Sequence, residues 1–73
     1  MCNRLSEMIS EMMEEALAAS YVEMEAAERL AAAGCDDSVV AAHLEMATIA
    51  SMRFEALRGL SIESQLEAVR ACH

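Results

Sequence analysis

The chain has no proline, no tryptophan and no lysine, and only one tyrosine, Tyr21, and one phenylalanine, Phe54. Without proline, no backbone donor is missing from any stretch and nothing forces a kink. The only strong breakers left are Gly34 and Gly59. Period-two alternation is lacking over any useful length and β-branched residues are few, which argues against strands. Bases are scarce as well: five arginines face thirteen acids, for a net charge of −8. That balance argues against nucleic acid and against anionic membrane surfaces, both of which call for basic patches. It suits simple solubility or a protein partner with a basic surface.

No stretch approaches the roughly 20 apolar residues a membrane span needs. The most apolar segment, from Ser38 to Met52, is shorter and contains His43 and Glu45. The start of the chain has no apolar leader and reaches Glu7 at once, so a cytoplasmic location is expected. In that compartment Cys2, Cys35 and Cys72 are expected as reduced thiols.

What remains is a helix-forming vocabulary of alanine, glutamate, methionine and leucine in 73 residues that are 56% hydrophobic. This is one small domain, of a size at which a lone core is marginal and oligomerisation is a common remedy. The first helix is expected over about residues 4–33, capped by Asn3 or Ser6 with Glu7 in its first turn. Its apolar stripe includes Leu5, Met8, Ile9, Met12, Ala16, Ala19, Ala26, Ala27 and Leu30, with Glu7, Glu11, Glu14, Glu25 and Arg29 opposite. A turn at 34–37 follows, with Gly34 placed to end the helix and Asp36, Asp37 or Ser38 to cap the next. So short a link makes the helices antiparallel neighbours.

The second helix is expected over about residues 38–58. Val39, His43, Met46, Ala47, Ala50, Phe54 and Leu57 share one side, while Ala41, Leu44, Thr48, Ile49 and Met52 lie opposite. A helix apolar nearly all round is a buried one, and a single neighbour cannot cover both sides. The stripe then shifts at Gly59, and Ser61 with Glu63 resembles a new start, so a short third helix is expected over about 62–72. The fold class is therefore all-α: an antiparallel helical hairpin with a short C-terminal helix, dimerising into a bundle. The expected interface comprises Val39, Leu44, Met46, Ile49, Ala50, Met52 and Phe54.

Two polar residues stand on apolar stripes, Glu23 on the first helix and His43 on the second. A buried carboxylate or imidazole needs a partner. Counting outward from the turn puts His43 near Glu28 rather than Glu23, so Glu28, or a glutamate of a second chain, is its expected partner. In a dimer, Glu23, Glu28 and His43 are also candidate metal ligands. The Glu-x-x-His motif of di-iron bundles is absent, because position 40 is Val40. Met8, Met12, Met13, Met24, Met46 and Met52 follow the apolar stripes and read as packing residues. Cys2, Cys72 and His73 meet at one end of a hairpin, as a disulfide, a thiolate–imidazole site or frayed termini.

Ala19-Ser-Tyr-Val-Glu-Met echoes Ala41-Ala-His-Leu-Glu-Met, a faint repeat that chance explains equally well in this composition. No serine or cysteine stands in a nucleophile setting, and the isolated glycines form no phosphate loop, so no enzyme and no cofactor are expected. The two-helix plan resembles that of the Rop family of small RNA-binding regulators, which dimerise into four-helix bundles. Glu7, Glu11, Glu14 and Glu25 occupy the face where RNA would need a basic or polar surface, so the resemblance stops at architecture. The expected role is a small acidic interaction or regulatory module. An acidic inhibitor of the phage type and a metal-binding bundle are the alternatives.

Overall fold

The computed structural model describes the backbone of residues 2–72 and the side chains of residues 4–72. It contains two helices, α1 over Cys2–Ala32 and α2 over Asp37–Cys72, and no strand among the described residues. They form an antiparallel hairpin with a longest dimension of 58 Å. At 1.5 Å per residue, the 36 residues of α2 alone span about 54 Å, so that helix sets the length of the molecule.

The turn is built as a Schellman ending. The Cys35 amide donates to the Leu30 carbonyl (3.0 Å) and the Gly34 amide to the Ala31 carbonyl (3.1 Å). Gly34 adopts φ +78°, a left-handed conformation that a side chain disfavours. Asp36 then starts α2: its carbonyl accepts from the amides of Val39 (3.0 Å) and Val40 (3.2 Å), and Asp37 sits in the first turn, where the helix dipole favours an acid.

Two expectations are corrected. Helix α1 already includes residues 3–6, so neither Asn3 nor Ser6 caps its start; the side chain of Asn3 lies outside the described residues. Further along, α2 runs unbroken through Gly59, and the expected second helix (38–58) and third helix (62–72) are one element. Gly59 keeps a negative φ, and a glycine costs a helix interior only about 0.5–1 kcal/mol, too little to end 36 residues of helix-forming sequence. After Arg58 the side of α2 that faces α1 carries Ser61 and Ser64, while Leu60, Ile62, Leu66 and Val69 are exposed.

Packing between the helices follows a strict three–four spacing. On α1 the protected positions are Ser6, Ile9, Met13, Ala16, Ser20, Glu23, Ala27 and Leu30, with Ala26 half-buried beside Ala27; on α2 they are Val40, His43, Ala47, Ala50, Phe54, Leu57, Ser61 and Ser64. This is the a/d pattern of a coiled coil. The buried apolar residues are Ile9, Ala16, Ala27, Ala47, Ala50 and Leu57, four of them alanines. Alanines let the backbones approach closely but bury little area. Ser20, also buried, donates its hydroxyl to the Leu17 carbonyl (2.8 Å). At the open end the seam is lined by Ser6, Ser61 and Ser64, each half-buried.

The echo between residues 19–24 and 41–46 has no structural counterpart, since Glu23 faces the seam whereas Glu45 is exposed. No helix among the described residues is long and apolar enough to cross a membrane.

Candidate interaction surface and the Glu23–His43 pair

A core made mostly of alanine leaves the large side chains outside it. Leu5, Met8, Met12, Leu17, Met24, Leu44, Met46, Ile49 and Met52 are all exposed, as are Leu60, Ile62, Leu66 and Val69 beyond them. Of the expected interface residues, Ala50 and Phe54 lie in the hairpin's own seam. The other five divide between the two broad faces of the hairpin. Met46 and Ile49 line a groove with Ala19, Glu23 and Arg53, and Val39 lies two turns before Met46 on the same side. Leu44 and Met52 line a groove on the other face with Met24, Thr48 and Glu55. Ile49 sits toward the outside of α2 and lines both the groove with Met46 and a second one with Leu44, Glu45 and Thr48.

Among the described residues, the one side-chain polar contact between the helices is His43 with Glu23. Nδ1 of His43 lies 2.6 Å from Oε2 of Glu23, with about a third and a fifth of the two side chains exposed. A carboxylate oxygen accepts, so Nδ1 donates. This corrects the expected pairing with Glu28 or with a second chain. Glu28 is near the right level but follows Ala27 by one residue, which turns it about 100° out of the seam, and it is exposed. Glu23 is the seam residue about one turn before Ala27, and it is the one that meets His43. Rotation about the helix, not distance from the turn, selects the partner.

With Nδ1 held by a carboxylate, the imidazole is oriented as metal-binding histidines commonly are. The chain brings together only Glu23 and His43 of the three candidate ligands, and no group of three metal-ligating side chains forms among the described residues. A closed tetrahedral site needs four donors, more than this pair offers. Cys72 is an exposed free thiol and Cys35 is exposed in the turn. The side chain of Cys2 and all of His73 lie outside the described residues, and with them the expected terminal cluster.

The acids are largely unneutralised. Apart from Glu23, only Glu55 has a basic partner among the described residues, Arg58 at 3.6 Å. Glu7, Glu11, Glu14, Glu25 and Glu28 form an exposed ridge along the outside of α1. No family model, no curated protein and no solved structure matches the chain.

Proposed function

We propose that this protein is a small non-catalytic interaction module that acts as a homo-oligomeric helical bundle. The observation that carries this reading is the mismatch between what the hairpin buries and what it leaves exposed. The chain exposes 5791 Å², whereas a compact monomer of its 7.9 kDa exposes about 4,400 Å². The excess of about 1,400 Å² exceeds the roughly 800 Å² per partner of a standard stable interface. That surface includes exposed methionines, leucines, valines and two isoleucines, and large exposed apolar patches mark association sites.

Ile49→Glu tests the reading. Ile49 is 56% exposed in the single chain, so the hairpin itself tolerates the change, while a dimer would carry two charges into its interface. Lost burial and charge desolvation together amount to at least about 4 kcal/mol over two copies, roughly a thousandfold in dissociation constant. Sedimentation should show a wild-type dimer and a dissociated variant. A folded wild-type monomer at micromolar concentration would refute the proposal.

The acidic ridge of α1 favours a second, compatible reading, in which the assembled bundle docks a basic protein surface. Removing Glu11, Glu14 and Glu25 should then weaken capture of that partner and flatten its salt dependence, leaving self-association intact.

A further inference from the structure

Each helix carries a second three–four stripe, one residue before the seam positions and therefore rotated onto the face that holds Met46 and Ile49. On α1 it runs Leu5, Met8, Met12, Glu15, Ala19, Val22. On α2 it runs Met46, Ile49, Arg53, Ala56, Leu60. Grooves lined by Leu5, Met12 and Leu60 near the open end, and by Ala19, Met46 and Ile49 nearer the turn, place both stripes on one side of the hairpin. The corresponding stripe on the opposite face of α1 carries Leu17, Tyr21 and Met24, but also Glu7, Glu14 and Glu28, three acids without a base.

Resting on the self-association proposed above, we infer that this second stripe is the dimer interface, with the twofold axis parallel to the helices, so that α1 of each chain lies on α2 of the other and Glu15 pairs with the other copy's Arg53. Levels and charges both lead there. The Glu23–His43 bond, the groove shared by Ile9 and Leu57 and the one shared by Ala19, Ile49 and Ala50 put residues whose numbers sum to about 66–69 at one height, with neighbouring turns interleaved. Glu15 and Arg53 share that height near the middle of the hairpin. They are exposed on different helices, and neither has an ion-pair partner within the chain among the described residues.

A twofold axis along the hairpin preserves height and exchanges the helices, so each Glu15 meets an Arg53 twice over, as an isologous interface requires. Large meets small on either side: Met12 faces Ala56, and Ala19 faces Ile49. An axis across the hairpin stacks α1 on α1 instead, setting Glu15 against Glu15 and Arg53 against Arg53, which is unfavourable. The area is sufficient, since the surface excess per chain is larger than a standard interface needs.

Two measurements on the full chain test this. The first is sedimentation of E15R, of R53E and of their equimolar mixture. Each variant alone replaces two attractions by two repulsions and should weaken the dimer on the order of 30-fold, while the mixture restores pairing as a heterodimer. Unchanged self-association in both variants places the interface elsewhere and overturns the inference. The second is the distance between spin labels on the exposed Cys35, with Cys2 and Cys72 replaced by serine. The parallel axis puts both turns at one end, so labels lie on the order of 10–25 Å apart given an interaxial spacing near 10 Å. A distance of roughly 50 Å, about the length of α1, means the axis runs across the hairpin and overturns the arrangement while leaving self-association standing. A wild-type monomer overturns both.

Discussion

Replacing each glycine by alanine gives opposite results if α2 is one helix. At Gly59 the backbone is helical with no positive φ, and an added Cβ meets nothing within 4 Å. Gly59→Ala therefore gains the full difference in helix propensity, about 0.5–1 kcal/mol, with no steric charge against it. At 4–8 °C per kcal/mol for a domain of this size, the melting temperature should rise by about 2–8 °C. At Gly34 the space is equally open, but φ is +78°. Gly34→Ala should destabilise by about 1–2 kcal/mol because a Cβ disfavours the left-handed region. Both variants are to be melted by circular dichroism at one fixed concentration, since self-association would make the melting temperature depend on it. A fall in stability for Gly59→Ala would mean that the residue leaves helical geometry and that the chain breaks there after all. The reasoning about α2 would then be wrong.

The close seam makes a second prediction: Ala27→Leu, at a position only 2% exposed, should push the helices apart and cost about 1–3 kcal/mol in denaturant titrations, whereas Ala18→Leu on the exposed side should cost nothing measurable. The Glu23–His43 pair should show coupling in a double-mutant cycle. Glu23→Leu or His43→Leu alone strands a partly buried polar group, and the double replacement should return to within about 1 kcal/mol of wild type. A double variant as unstable as the sum of the singles would show the two residues to be uncoupled. Cys35→Ser with Cys72→Ser should melt within a few degrees of wild type in reducing buffer, because both thiols are exposed; a larger loss would reveal a contact those thiols make in the assembled state.

The sequence by itself determined the helical class, the position of the turn and its chemistry. These are local properties: alanine, glutamate and methionine favour helix wherever they stand, and Gly34 followed by Asp36 and Asp37 ends one helix and begins another through bonds spanning a few residues. The three–four spacing from Ser6 to Leu30 and from Val40 to Ser64 was there to be read as well. It was masked by the larger Leu5, Met8, Met12 and Met46 one residue away, which made one broad stripe out of two narrow ones.

Only the tertiary structure decided which stripe the hairpin consumes, and it is the one rich in alanine, because small side chains allow the closest approach of two backbones. It also decided that His43 meets Glu23 rather than Glu28, since that choice depends on the rotation of two helices against each other and not on the number of residues from the turn. The fate of Gly59 depended on context in the same way. A residue that weakens a helix by less than its neighbours support it ends nothing, and α2 continues past it to Cys72.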